Sequence, residues 1–151
     1  MKFIVNNGGK LSGNIRVPGD KSISHRSIMF GSIARGTSHI SGFLEGEDSL
    51  NTLRAFSAMG VSIEGPEDGR VVIHGVGMRG LKQPAQALEL GNSGTSMRLL
   101  AGLLSGQAFD VELTGDASLS KRPMERVTKP LELMGAEVST AEGGRPPLKI
   151  S

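Results

Sequence analysis

Three short stretches of this sequence gather residues that could bind a polyanion. In Pro18-Gly19-Asp20-Lys21-Ser22-Ile23-Ser24-His25-Arg26, a Pro-Gly turn leads into hydroxyl side chains and two cations. That pattern predicts a helix start, where unpaired backbone N–H groups and the helix dipole both favour an anion. Lys21 adds a point charge, and Arg26 follows about one turn later with a fork suited to phosphate or carboxylate. In Leu90-Gly91-Asn92-Ser93-Gly94-Thr95-Ser96-Met97-Arg98, Asn92 or Ser93 can cap a second helix. Gly94 lacks a Cβ, so a ligand can approach the backbone there, and Arg98 lies one to two turns further. The third stretch, Gly115-Asp116-Ala117-Ser118-Leu119-Ser120-Lys121-Arg122-Pro123-Met124, again places cations before a helix start marked by a proline. Three cationic clusters predict a ligand with more than one negative group.

Other chemistries find less support. The P-loop pattern Gly-x-x-x-x-Gly-Lys-Ser/Thr does not occur, which argues against a nucleotide site of that kind. His25, His39 and His74 show no metal-binding spacing, so neither a metal nor a cofactor is expected. His25 is expected to line the cleft, and His39 and His74 to serve strands. Asp20 and Asp116 read as groups orienting hydroxyls and cations, and Asp48, in Glu45-Gly46-Glu47-Asp48, as a helix cap. No residue stands out as a catalytic base.

These stretches need elements to hold them. The chain has 151 residues, enough for one domain with a real core, and no cysteine, which removes disulfides and thiolate chemistry. Aromatic residues amount to 3%, all of them phenylalanine, so base-stacking platforms for nucleic acid are not expected. The net charge is only +2 despite an isoelectric point near 9.2, and no Lys/Arg block exists. No apolar run approaches the ~20 residues that span a bilayer, and the N-terminus turns polar too soon for a secretory signal. A soluble cytoplasmic protein is expected, without nucleic-acid or membrane partners.

The chain also repeats itself. Lys21–Gly31 parallels Asn92–Gly102, and Ala58-Met59-Gly60-Val61 parallels Leu133-Met134-Gly135-Ala136, at offsets of 72 for the arginines and 75 for the glycines. Periodicity predicts a helix over 22–34 and a strand over 37–41. A second helix runs from Asp48 to Gly60, and a hairpin joins 61–63 to 71–73 around a turn at Gly65–Gly69. The second unit follows with a helix over 93–104, a strand over 111–113, a helix over 124–134 broken near Pro130, and a hairpin of 136–139 with 148–150. The fold class is therefore α/β, with two β-α-β-α-β-β-like units, about 18–80 and 81–151.

Taken together, Gly19–Arg26, Gly91–Thr95 and Gly115–Met124 resemble the 5-enolpyruvylshikimate-3-phosphate synthase family (3-phosphoshikimate 1-carboxyvinyltransferases). Asp116–Met124 and Leu44-Glu45-Gly46-Glu47-Asp48 resemble its glyphosate-tolerant class. The resemblance implies transfer of the enolpyruvyl group of phosphoenolpyruvate to shikimate 3-phosphate with release of phosphate, on the way to chorismate and aromatic amino acids. It implies an enolpyruvyl transferase fold, an inside-out α/β barrel whose domains each hold three such units, with residues 1–17 as a strand packing on the second domain. By the same resemblance Lys21 contacts both substrates, while Ser22 and Arg26 hold shikimate 3-phosphate. Asn92, Gly94 and Thr95 form the phosphoenolpyruvate turn, Arg122 clamps that substrate, and Arg98 faces the same cleft. Where tolerant members carry Ala, this chain has Gly94, which implies sensitivity to the inhibitor. The resemblance covers about the first third of the family's sequence, so the carboxylates that move protons lie beyond this chain. An N-terminal fragment, inactive alone, is expected to need the rest of the synthase.

Two rivals remain at this stage. A related transferase acting on a UDP-linked amino sugar usually opens with Lys-Asn and carries a loop cysteine, neither of which occurs here. A non-catalytic anion-binding or assembly module of a split enzyme is the other.

Overall fold

The computed structural model describes residues 2–151. The first unit holds α1 (Lys21–Ile33), β1 (Arg35–Ser41), α2 (Glu47–Ala58), β2 (Ser62–Glu67) and β3 (Arg70–Val76). The second holds β4 (Leu88–Glu89), α3 (Gly94–Leu104), β5 (Val111–Thr114), a 3-10 turn (Leu119–Lys121), α4 (Glu125–Leu133), β6 (Val138–Ala141) and β7 (Arg145–Ile150).

The repeat read from the sequence is a structural repeat. The first sheet has the strand order β1-β3-β2, and the second, β4-β5-β7-β6, contains the matching order β5-β7-β6. In both, the strand after the first helix pairs antiparallel with the last strand of the closing hairpin. β4 adds a parallel partner to β5 through Leu88 and Leu113, a pairing that the intervening α3 makes possible. The second unit thus has all six expected elements, whereas the first lacks an opening strand. Residues 2–20 form no helix or strand, and the strand expected over 1–17 finds no neighbour among the described residues. A strand needs another chain segment for its backbone groups, and here they face water. Met1 lies outside the described residues.

The helices lie over the sheets and share one apolar cluster. Ile28, Phe56, Met59 and Ile73 come from the first unit, and Leu90, Met97, Leu100, Leu104, Leu113 and Leu148 from the second. Burying each such side chain contributes roughly 1.5–3 kcal/mol, which binds the units into one body. No helix among the described residues is long and apolar enough to cross a membrane.

Three local expectations need correction. The first hairpin does not turn at Gly65–Gly69: β2 continues to Glu67 with a register shift after Glu64, and the chain reverses at Asp68-Gly69. Both turn residues have positive φ, 49° and 69°, the backbone that two-residue hairpin turns require. A Gly-Pro pair is tolerated within β2 because that strand lies at the sheet's edge. α4 runs through Pro130 without a break. The bond it forfeits would reach Arg126, and both residues are exposed, where water can serve instead. Finally, Asp48 does not cap α2. Gly46 holds the cap position without a side-chain bond, and Asp48 lies in the first turn, favourable to the helix dipole.

Candidate functional site

The α1 start is shaped by a close approach. A Cβ on Gly19 would run into the Gly42 carbonyl oxygen and lie 3.0 Å from the Leu44 nitrogen, so only glycine lets the chain enter α1 there. The Asp20 carboxylate caps the helix by accepting from the Ile23 N–H at 2.7 Å. The Ser24 hydroxyl donates to the Asp20 carbonyl at 2.8 Å and accepts from the Leu44 N–H at 2.9 Å, pinning the loop after β1 beside the helix. Lys21, Ser22 and Arg26 remain exposed on this start. Lys21 Nζ donates to the Asp48 carboxylate, while Arg26 makes no ion pair among the described residues.

The α3 start forms a second cationic corner. Ser93 caps α3, accepting from the Ser96 N–H at 3.2 Å, and Gly94 is the first helical residue. Arg98 Nη1 donates back to the Gly94 carbonyl at 3.1 Å. Arg122, arriving from the 3-10 turn, donates to the Asn92 side-chain oxygen, and to the Asn92 carbonyl at 3.4 Å. A Cβ on Gly94 would lie 2.7 Å from Arg98 Nη1 and 3.3 Å from Arg122 Nη1, so two guanidinium groups converge over this one glycine. Asn92 and Thr95 are exposed beside them.

Asp116 organises the corner rather than touching hydroxyls or cations directly, as the sequence had suggested. Its carboxylate accepts from the N–H groups of Leu119 at 2.7 Å and Ser118 at 2.9 Å, and from the Asn92 amide at 2.9 Å. The Leu119 N–H, then the Asn92 amide, hold this carboxyl below its ordinary range, with a smaller contribution from Arg122. The Asp20 carboxylate likewise holds a backbone N–H, and the residue meets the Ser24 hydroxyl only through its carbonyl. The third cluster also differs from expectation: Arg122 turns towards Asn92, and α4 begins after Met124 with no side-chain cap.

The first turns of α2 lie between the corners. Asp48 meets Lys21 on one side, and on the other Thr52 Oγ1 lies 2.7 Å from Ser96 Oγ of α3. His25 was expected in the cleft and is instead fully buried, with Nδ1 2.8 Å from Thr52 Oγ1. Burial lowers its pKa, the nearby Lys21 charge lowers it further, and Asp48 opposes, so the ring is held neutral. His74 instead joins Glu64 across the first hairpin at 2.7 Å. Among the described residues no three His, Asp or Glu side chains group as metal ligands would. The roles of Asn92 as a bridge and of Thr52 had no signal in the sequence, since their partners lie 24 to 44 positions away. The arrangement binds and orients anions. Among the described residues there, Lys21 occupies Asp48, and the bonds Asp116 accepts from two N–H groups and the Asn92 amide make it a weak base.

A family model described as EPSP synthase (3-phosphoshikimate 1-carboxyvinyltransferase) matches residues 5–151. The chain belongs to this family. The 3-phosphoshikimate 1-carboxyvinyltransferase of Hydrogenovibrio crunogenus is 67% identical over 150 residues, 99% of this chain and 34% of that protein. That of Methylococcus capsulatus is 64% identical over 149 residues, again 34% of its length. Among solved structures, an EPSP synthase from Acinetobacter baumannii superposes with a TM-score of 0.90 at 69% identity, covering 92% of this chain and 32% of the other. This chain therefore spans about a third of the length of the curated relatives it matches. The expected fold, an α/β partial enolpyruvyl transferase domain, is the EPSP synthase fold found here.

Proposed function

We propose that this chain is the N-terminal part of a 3-phosphoshikimate 1-carboxyvinyltransferase and supplies much of its anion-binding surface. In this reading Ser22 and Arg26 hold the phosphate of shikimate 3-phosphate. Arg122 and Arg98 hold phosphoenolpyruvate over Gly94, with Asn92 and Thr95 beside it, and Lys21 serves both substrates. The observation that carries the reading is the convergence of Arg98 and Arg122 on Gly94, within one α2 turn of the Lys21 corner. In the reaction the 5-hydroxyl oxygen loses its proton and bonds to C2 of phosphoenolpyruvate while C3 is protonated; the tetrahedral adduct then loses phosphate from C2 and a proton from C3, leaving the enol ether. Preorganised cations stabilise the charge on both phosphates and on the tetrahedral adduct. Proton transfer falls to carboxylates outside this chain, and no cofactor is called for.

The same reading assigns residues 18–151 to one partial domain, with units 18–80 and 81–151, and residues 1–17 to a strand on the second domain. Exposure supports further cover over the second unit. Met134, at the end of α4, is 82% exposed, while its repeat equivalent Met59 is completely buried. Gly94 presents no methyl group to crowd glyphosate, so inhibition of the complete enzyme is expected despite motifs like those of the tolerant class.

Heteronuclear NMR titration of this chain with shikimate 3-phosphate tests the assignment. Shifts centred on Lys21–Arg26 are expected, and a ligand that leaves those amides unmoved overturns it. The engagement of Asp48 and Asp116 with their partners also suits a non-catalytic module of a split enzyme. Phosphate release on adding the remaining synthase segment in trans distinguishes a split enzyme from a plain binding module.

A further inference from the structure

The two anion-binding helix starts are joined beneath the surface by a line of buried polar side chains. His25 Nδ1 lies 2.8 Å from Thr52 Oγ1, Thr52 Oγ1 2.7 Å from Ser96 Oγ, and Ser96 Oγ 2.6 Å from Ser93 Oγ. His25 and Thr52 are completely buried, and Ser93 and Ser96 are 1% exposed; Ser24, Ser32, Ser49 and Thr128 are the other buried polar residues among those described. The line crosses three helices: His25 on α1, Thr52 on α2, Ser96 on α3 and Ser93 as the α3 cap.

Counting hydrogens gives the line a direction. Ser93 donates to Ser96 and Ser96 to Thr52, while Ser93 accepts from the Ser96 N–H, and the Thr52 hydrogen goes to His25 Nδ1 or to the Asp48 carbonyl at 3.3 Å. Every hydroxyl hydrogen is then used. The reverse direction leaves the Ser93 hydrogen with no acceptor in the line.

The arrangement is costly. His25 Nε2 is buried with no partner among the described residues, a penalty that apolar side chains of similar shape would avoid. Apolar packing is non-directional, whereas a hydrogen-bonded chain holds its members within tenths of an ångström. A local rule broken beside a binding site points to a task other than stability. Thr52 is the central member, because its one hydroxyl meets both α1 and α3 at 2.8 and 2.7 Å, shorter than the direct 3.4 Å contact of Ser96 Oγ with His25 Nδ1.

We infer that Thr52 is a positioning residue. Its hydroxyl sets the spacing between the start carrying Lys21, Ser22 and Arg26 and the start carrying Asn92, Gly94 and Thr95, so that one ligand can engage both. The ligand named in the test rests on the proposed function; the positioning role does not.

The experiment compares this chain with its Thr52→Val and Thr52→Ser variants. In the ligand-free protein, Thr52→Val should speed amide hydrogen exchange at Ser96 and Met97 by about tenfold, leave Ile73 unchanged, and be rescued by Thr52→Ser. Unchanged exchange, or equal acceleration everywhere, overturns the inference. In titrations, Thr52→Val should weaken phosphoenolpyruvate about tenfold yet leave inorganic phosphate, which one corner can hold, unaffected. Equal loss for both probes, or no loss, overturns it as well. If the unaltered chain binds neither probe, the proposed function fails, and exchange alone decides the role of Thr52.

Discussion

Replacing Gly94 with alanine separates what this glycine does for folding from what it does for binding. Gly94 opens α3 with ordinary helical backbone, so alanine suits the local structure and gains up to about 1 kcal/mol of helix propensity. The added Cβ would lie 2.7 Å from Arg98 Nη1, which must retreat by roughly 0.8 Å to reach the ~3.5 Å of ordinary contact. Arg122 Nη1, at 3.3 Å, must yield a few tenths of an ångström. Both obstacles are tips of flexible side chains, so folding stability should change by less than about 1 kcal/mol. Binding is another matter, because both guanidinium groups move off the spot on which they converge. Misaligning one charge-assisted hydrogen bond costs about 1.5–3 kcal/mol, or roughly 10- to 100-fold in Kd. Urea unfolding measures the first quantity, and a phosphoenolpyruvate titration followed by arginine Nε–H signals measures the second. An unchanged Kd would refute the convergence of Arg98 and Arg122 as the source of affinity, and a stability loss above about 2 kcal/mol would show the arginines to be rigid.

Gly19→Ala meets backbone rather than side chains, at Gly42 and Leu44, and should lower Tm by roughly 2–12 °C. Gly102→Ala has open space within 4 Å and should raise Tm slightly; the same response from both would discredit the close approach at Gly19. Asp48→Asn releases Lys21 from a partly exposed ion pair, so stability should change by less than about 1 kcal/mol while inorganic phosphate binds several-fold tighter. Weaker phosphate binding would mean that Asp48 aims Lys21 rather than competing for it. The folded-state pKa of His25 is below its unfolded 6.5, so on acidification the unfolded chain takes up the proton first. Stability should therefore be level above about pH 6.5 and decline below it. Asp116 adds a second loss as pH falls below 3.8 towards its lowered value. Urea midpoints from pH 7.5 to 3 check both steps, and a flat profile from pH 7.5 to 5 would contradict a neutral buried His25.

Much of the fold follows from interactions within a few residues, and those are legible in sequence. The caps at Asp20 and Ser93 lie three positions from the N–H groups they satisfy. The starts of α1 and α3, and the cations each carries, could thus be read directly. The same is true of the repeat, since helix and strand periods recur in the same order in both units. Tertiary structure decided how those pieces meet. Asp48 looks like a cap, yet it lies 27 residues from the lysine it pairs with, and nothing local announces that pairing. Arg122 looks like a helix-start cation, but packing of the 3-10 turn carries it to Asn92, 30 positions away. His25, flanked by exposed Lys21 and Arg26, falls on the face of α1 that turns inward. The N-terminal segment remains without a strand for the same reason: backbone pairing needs a neighbouring edge, and a neighbour is a property of the assembled fold, not of the residues that seek it.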